Sequence, residues 1–250
     1  MHKTALVALI ISGALLAGGA FPAHAASTAC NLESGINGLS AAVERNDGTL
    51  EGLRAELSAR KDLLRATLDC ALAEVQGSAD TIHSLPSTND AVESLKTTYF
   101  RKLDEAASYY RLEQSTIDTL GLKGSRDLAK SVRDWRTSNF APIAATITDL
   151  TIWAKNQAVM KTAGNRIDQV SRTVQVLSLS GGDDINEAFS SVQANFRDAG
   201  SLNERARQAL VQFGTVEDPL PLIKASLDSL SKTYQSLFGL SETVKKVLPQ

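Results

Sequence analysis

Apolar side chains recur every three or four residues over almost the whole chain, from Leu32 to Leu248. This period is typical of one face of an α-helix, and its persistence predicts a series of long amphipathic helices. The second predicted helix shows the pattern most clearly, with an apolar stripe running from Leu50 to Ile82 before Pro86 ends it. The opposite face of that helix carries charged side chains, among them Glu51, Arg54, Glu56, Arg60 and Lys61.

The sequence therefore predicts an all-α fold, an elongated up-and-down bundle of long, coiled-coil-like helices joined by short connections. Residues 46–48, Asn-Asp-Gly, predict a tight turn between the first two helices. The nearest approach to a strand pattern, residues 173–180, continues the helical stripe. Residues 26–250 are expected to form one domain, with possible sub-bundles at 26–121 and 125–250.

Two further signals, a proline and a turn sequence, indicate helix boundaries in the later part of the chain. Pro142 has no backbone N–H and disfavours a helical conformation at the preceding residue, so a break or sharp kink is expected there. Residues 178–184, Ser-Leu-Ser-Gly-Gly-Asp-Asp, predict a turn in which Asp183 or Asp184 caps the next helix.

The first 25 residues have the pattern of a secretory signal peptide. Lys3 provides the positive charge, residues 5–20 form an uncharged apolar run, and Ala23-His24-Ala25 fits a small-residue cleavage site. A retained N-terminal anchor is the alternative. Cleavage near Ala25 predicts an extracytoplasmic location, whether periplasmic, cell-surface or secreted. No later segment is apolar enough for a transmembrane helix in the mature chain.

Cys30 is either a lipidated residue or half of a disulfide bond. A lipid anchor is disfavoured because Ser27 occupies the position that normally carries a hydrophobic residue in a lipidation signal. If the chain turns at residues 46–48, the helical rise places Cys30 and Cys70 at similar heights on opposite arms of a hairpin. Both belong to the predicted mature chain, an even number suited to an oxidising compartment. The sequence therefore predicts a Cys30–Cys70 disulfide.

Composition and charge exclude some partners. Apolar residues make up 43% of the chain, enough for a core, and the formal net charge is −2. Lys and Arg are scattered rather than clustered, which argues against binding of nucleic acid or of an anionic membrane surface.

No catalytic, metal-binding or cofactor-binding residues are predicted. His83 is the only histidine of the predicted mature chain, and a lone histidine at a helix end is usually a solvated or capping residue. Phosphate-binding loops, a nucleophile elbow and a haem-attachment motif are all missing from the sequence. Residues 181–189 lack the alternating acidic ligands of a calcium loop, so they are better explained as a turn.

Two sets of residues are candidates for a binding role. Glu113 and Gln157 interrupt apolar stripes; they either line a small-ligand pocket or are bundle-edge and register-fixing residues, and the second interpretation is favoured. Trp135, Phe140 and Trp153 form a candidate partner-contact patch, for which bulky filling of a bundle end or kink is the structural alternative.

The favoured function is an exported, non-enzymatic structural or interaction protein of the bacterial cell envelope or surface. It acts as a spacer, scaffold or subunit and has a protein partner or associates with itself. A helical pore-forming protein is one alternative, with the region around residues 140–153 as its weak candidate for insertion. A small-ligand-binding periplasmic helical protein is the other.

Overall fold

A computed structural model of the chain describes residues 30–176 and 182–247, and most of these residues are helical. The helices are α1 (Glu33–Arg45), α2 (Leu50–His83), α3 (Asp90–Thr116), α4 (Leu122–Trp135), α5 (Ala141–Val176), α6 (Asp183–Val211) and α7 (Pro219–Val247). No residue within those two ranges belongs to a strand. The predicted all-α class is confirmed. The predicted signal peptide, residues 1–25, lies outside the described residues, as does most of the predicted turn at 178–184.

The turn between α1 and α2 is built by side-chain hydrogen bonds to the backbone. Asn46 Oδ1 accepts the N–H of Gly48 at 2.9 Å, and Asp47 Oδ1 accepts the N–H of Thr49 at 3.0 Å. Gly48 has a φ of +85°, which a residue with a Cβ rarely adopts. Thr49 then caps α2 by accepting the N–H of Gly52 at 3.2 Å. The predicted turn is confirmed.

At Pro142 the predicted break is wrong, and its alternative, a sharp kink, stays a prediction. Residues Arg136–Phe140 form a π-helical segment that joins α4 to α5 without leaving the helical conformation. Ala141 has helical angles, φ −58° and ψ −40°, and its N–H bonds the carbonyl of Arg136 five residues earlier. Such a widened turn rearranges the backbone hydrogen bonds just where proline cannot donate one, so the helix continues through the proline.

The chain divides into two compact units. Of the described residues, the first unit comprises 30–84 and 99–144, and the second comprises 85–98, 145–176 and 182–247. Helices α3 and α5 each contribute to both units. These divisions differ from the possible sub-bundles at 26–121 and 125–250, and the single-domain organisation of 26–250 stays a prediction. The up-and-down order and the coiled-coil packing also stay predictions.

Each unit has its own apolar core, formed mainly by residues of the predicted stripes. The first unit fully buries Leu68, Ile82 and Tyr110, among others. The second unit buries Val192, Ala199, Leu210, Ile223 and Leu230. Burying an aliphatic side chain of this size contributes about 1.5–3 kcal/mol, which makes these faces the main source of tertiary stability.

The beginning of α2 departs from the predicted pattern. Leu50 is 64% exposed and Leu53 is 37% exposed, although both belong to the predicted apolar stripe. Glu56, which was expected on the solvent face, is only 5% exposed. The apolar face of α2 therefore begins later than the sequence indicated.

Among the described residues, no helix has the length and apolar character needed to span a bilayer.

The start of α6 also differs from expectation. Gly182 is its N-cap residue and offers no side-chain cap, while Asp183 and Asp184 lie in the first turn. The prediction that one of these aspartates caps the helix is wrong. Their charges instead favour the helix by lying near the positive end of its dipole.

Candidate functional site

Cys30 and Cys70 form a disulfide bond, as predicted, with their Cα atoms 5.5 Å apart. Cys30 lies just before α1 and Cys70 lies on α2, so the bond joins the two arms of the hairpin. The chain contains no free cysteine. Because the Cys30 sulfur is already bonded to Cys70, it is not available as the thioether of a lipid anchor in this structure.

A buried carboxylate, missed from the sequence, joins α2 to its neighbours. Glu56 Oε1 accepts hydrogen bonds from Arg60 Nε and Nη2, at 2.8 and 2.6 Å, and from Arg126 Nη2 at 3.4 Å. Its Oε2 accepts Asn46 Nδ2 at 2.6 Å. Burial alone would raise the pKa of Glu56, but these hydrogen bonds and the charge of Arg60 outweigh burial and lower it. Glu56 thus stays ionised and structural. The only sequence signal for it was the spacing of Glu56 and Arg60, four residues apart.

The predicted contact residues Trp135 and Phe140 belong to an aromatic cluster at the π-helical segment. Trp135 stacks on Tyr109 with ring centroids 4.0 Å apart and an interplanar angle of 13°. Tyr110 meets Trp135 edge-on at 5.4 Å and Phe140 edge-on at 6.3 Å. Trp135 and Tyr109 are half-buried, whereas Phe140 is 0% exposed.

The proposed patch needs correction, because two of its three members have no surface to offer. Phe140 and Trp153 are both 0% exposed and pack in the cores of the first and second unit respectively. Their role is the structural alternative, bulky filling of the interior. Trp135 keeps some exposed surface, and Tyr109, not among the predicted residues, is its stacking partner. The signal that could have found Tyr109 is its place in the run of aromatics that begins at Tyr99.

An ion pair lies close to the aromatic cluster. Arg136 Nη2 donates to both carboxylate oxygens of Glu74, at 2.9 and 2.7 Å, and its guanidinium carbon lies 5.4 Å from the centre of the Phe140 ring. Burial raises the pKa of Glu74, although Arg136 opposes the shift. Burial also raises the pKa of Tyr110 far above its usual value, and its hydroxyl has no hydrogen-bond partner. Tyr110 therefore stays protonated and is unsuited to act as a base.

Trp153 is part of a buried polar network in the second unit. Its Nε1 donates to the backbone carbonyl of Asn203 at 3.1 Å. Asn156 Nδ2 lies 3.2 Å from Asn203 Oδ1 and 3.0 Å from Ser226 Oγ, and Ser226 Oγ donates to the carbonyl of Ala199 at 2.9 Å. The network joins α5, α6 and α7. Buried polar groups of this kind fix which residues face one another across helices.

The other residues named from the sequence are Glu113, Gln157 and His83. Glu113 is half-buried on α3 in the first unit. Gln157 lies in the second unit, where its Oε1 accepts a hydrogen bond from Asn89 Nδ2 at 3.0 Å. His83 is exposed as the last residue of α2. In the parts of the chain that the structure describes, no group of three or more His, Cys, Asp or Glu side chains is placed to hold a metal ion.

One half-buried carboxyl of the second unit has an unusual pKa. Burial raises the pKa of Asp149 to about 6 from its usual value of 3.8; the neighbouring charge of Asp218 adds to the rise and Lys224 opposes it. At neutral pH the ionised carboxylate of Asp149 is therefore a cost to stability, because burial disfavours its charged form.

Replacement of Asp149 with Asn is expected to raise the free energy of unfolding by about 1 kcal/mol at neutral pH, a value reduced to allow for solvent screening of a half-buried group. The folded pKa lies above the unfolded one, so the native carboxyl is favourable below pH 3.8 and loses that contribution as the pH rises through about 6. Urea unfolding from about pH 4 to about pH 8 measures the difference. Asp228→Asn, at an exposed position of α7, is the control. A gain from Asp149→Asn that does not change with pH would contradict the assignment.

Comparison with known proteins finds nothing similar: no family model, no curated protein sequence and no solved structure matches the chain.

Proposed function

We propose that the chain is an exported, non-enzymatic structural or interaction protein of the bacterial cell envelope or surface. The signal-like pattern of residues 1–25 supports export. The Cys30–Cys70 disulfide supports an oxidising compartment, because such bonds rarely persist in the reducing cytosol of mesophiles. The mature protein begins near Ala26 and carries no lipid at Cys30.

Neighbouring helices within each unit follow the up-and-down order with coiled-coil-like contacts. The short turn at residues 46–49 and the disulfide support antiparallel packing of α1 and α2. In the second unit, Ala199 of α6 and Leu230 of α7 share one buried cluster, which supports the same arrangement for that pair. A rigid helical body of this kind suits a scaffold or assembly subunit.

The observation that carries the interaction role is the half-exposed stack of Tyr109 on Trp135. Tyrosine, tryptophan and arginine are the residues most enriched where protein partners bind tightly. The stack is held firmly: Tyr109 Oη lies 3.4 Å from Ser131 Oγ, and Tyr110 supports Trp135 from the buried side. A pre-ordered aromatic surface loses little conformational entropy on binding. We assign the partner contact to this stack in place of Phe140 and Trp153.

The contacts that the charged and polar side chains make support a non-catalytic role. Glu56 and Glu74 are neutralised by arginines that fix helix positions. Asn156 donates to both Asn203 and Ser226 in the interior of the second unit. Charged and polar groups that serve packing are not free to converge on a substrate.

Trp135→Ala and Tyr109→Ala are each expected to weaken partner binding about tenfold or more, the usual loss on truncating a central aromatic contact. The measurement is quantitative cross-linking mass spectrometry on envelope fractions of the native host, with each variant expressed at the native level. Because the two side chains are half-buried, circular dichroism and unfolding of each purified variant must show that the fold is retained.

Leu50→Ala is the matched control, since Leu50 is 64% exposed, lies in the same unit and is apolar. It should leave the cross-links unchanged. A chain that is monomeric and free of cross-links in the envelope would contradict the proposal, as would equal losses from Leu50→Ala and Trp135→Ala.

A further inference from the structure

An open cleft of about 440 Å³ lies on the surface of the second unit. Polar side chains of α5 line it in one stripe: Gln157, Lys161, Asn165 and Asp168. Their spacing of three or four residues places them on one face of the helix. Phe196 of α6 adds an aromatic surface. The volume lies within the range of small-molecule sites, about 300–1,000 Å³.

The polar groups of the stripe have unused hydrogen-bonding capacity. Within the described ranges, the side chains of Lys161, Asn165 and Asp168 form no hydrogen bond or ion pair, in contrast to Arg207 and Glu204 of α6, which pair at 2.6 Å. At the same cleft, the hydroxyl of Thr88 is buried without a hydrogen-bond partner. Exposed charges are often simply solvated, but these two charges and the amide of Asn165 line the same open cleft.

The middle of the stripe is kept open by Gly164. A Cβ atom at this position would lie 3.4 Å from Cζ of Phe196, so any larger side chain would occupy the space beside the aromatic ring. The absence of a side chain leaves both the ring and the flanking amide of Asn165 accessible to a ligand lying along α5.

The two ends of the cleft differ in charge. At one end, Asn89 caps α3 by accepting the N–H of Val92 at 3.0 Å, and its Nδ2 bonds Gln157. The ammonium of Lys161 favours an anion near this end, whereas the positive end of the α3 dipole already has Asp90 and Glu93 in its first turn. At the other end, the carboxylate of Asp168 favours a cation. Lys161 and Asp168 are seven residues apart, which corresponds to about 10 Å along the helix.

We propose that this cleft binds a short peptide with free termini, about three residues long and extended along α5. Three extended residues span about 10 Å, which matches the helical rise between Lys161 and Asp168. Lys161 pairs with the peptide carboxylate and Asp168 with its amino group. Asn165, which lies between them on α5, bonds a peptide group, and a small apolar side chain of the ligand contacts Phe196. Gln157 lies one turn before Lys161, outside this span, and keeps its hydrogen bond to Asn89.

A neutral sugar fits the site less well. It would satisfy the amide of Asn165 and cover the aromatic ring, but it would leave both charges without a partner. A zwitterionic peptide satisfies the amide and the charges together, and charge-assisted hydrogen bonds are the stronger ones.

The probe is trialanine, titrated calorimetrically into the full oxidised protein, with forms of trialanine acetylated at the amino end, amidated at the carboxyl end, or both. Native protein is expected to bind trialanine with a millimolar Kd and to lose about tenfold in affinity when either terminus is blocked. Lys161→Gln should remove the preference for a free carboxylate but keep the preference for a free amine. Asp168→Asn should do the reverse. Both residues are exposed, so neither change threatens the fold.

Lys155→Gln is the control: Lys155 is an exposed lysine on the same helix that does not line the cleft. It should bind all the probes as native protein does. The proposal is overturned if trialanine shows no saturable binding, if the doubly blocked peptide binds equally well, or if Lys161→Gln and Asp168→Asn bind every probe as native protein does. Displacement of bound trialanine by free N-acetylglucosamine at equal or lower concentration would also overturn it.

Discussion

Replacing Cys30 and Cys70 together with serine is expected to lower the free energy of unfolding by about 4 kcal/mol. The two cysteines are 40 residues apart in sequence, and the bond between them limits the number of conformations of the unfolded chain. A loss of about 4 kcal/mol is a large part of the 5–15 kcal/mol that typically separates folded from unfolded proteins. The loss of stability should be concentrated in the first unit, because α1 packs mainly on α2 and has few contacts with other helices.

Guanidinium unfolding of the oxidised native protein and of the double variant measures this loss. Treating native protein with a reductant should produce a loss of similar size, and the same reductant should have no effect on the double variant. Native protein whose stability is insensitive to reduction would show that the bond has no stabilising role. Hydrogen exchange should report faster opening of α1 in the variant than of α7, because only α1 is joined directly by the bond.

Trp153→Ala is expected to cost about 3–5 kcal/mol, the usual range for truncating a fully buried aromatic residue. The change removes the side chain from the core of the second unit, where it is 0% exposed, and breaks its hydrogen bond to the carbonyl of Asn203. The neighbouring network of Asn156, Asn203 and Ser226 would then border a cavity. Trp153 is therefore predicted to act through stability and not through partner contact.

Trp135→Ala is the matched comparison, since these are the two tryptophans of the chain. Trp135 is half-buried and its ring lies flat on Tyr109, so its loss should cost about 1–2 kcal/mol, less than the loss of Trp153. Urea unfolding followed by far-ultraviolet circular dichroism measures both variants without relying on tryptophan fluorescence. Equal losses for the two, or a smaller loss for Trp153→Ala, would contradict the assignment of Trp153 to the core.

The helical class and the disulfide could be predicted because both depend on local spacing. Apolar periodicity is a property of consecutive residues, and a tight turn at residues 46–48 fixes which residues of two adjoining helices lie side by side. The turn was visible as Asn-Asp-Gly, and in the structure Gly48 adopts a left-handed conformation. Sequence distance along two helices was then enough to pair Cys30 with Cys70.

The structure differs from the sequence predictions where a tertiary contact or a rearranged backbone outweighs the local preference of a residue. Glu56 resembles a solvent-facing residue in sequence, yet it is buried because Arg60, Arg126 and Asn46 neutralise and bond it. Pro142 resembles a helix terminator, yet the π-helical segment before it accommodates the missing N–H. Apart from the four-residue spacing of Glu56 and Arg60, neither the partners of Glu56 nor the widened turn leaves a periodic signal in the chain.

The candidate sites were only partly predictable for the same reason. Aromatic residues between 99 and 153 suggested a binding surface, but exposure depends on which helices cover them. Burial removed Phe140 and Trp153, whereas Trp135 kept surface and gained Tyr109. Gln157 was visible as a polar interruption of an apolar stripe. The cleft it lines also needs Phe196 from α6 and Thr88 from the segment before α3, which no spacing within α5 could indicate.

The most direct test of an exported, disulfide-bonded helical protein is the intact mass of the chain isolated from the envelope of its native host without reductant. The predicted mass is that of residues 26–250 less the two hydrogens lost in forming the Cys30–Cys70 bond. Reduction should restore those two hydrogens and nothing else. A full-length chain, a chain beginning at an acylated Cys30, or a mature chain with both thiols free would contradict the account.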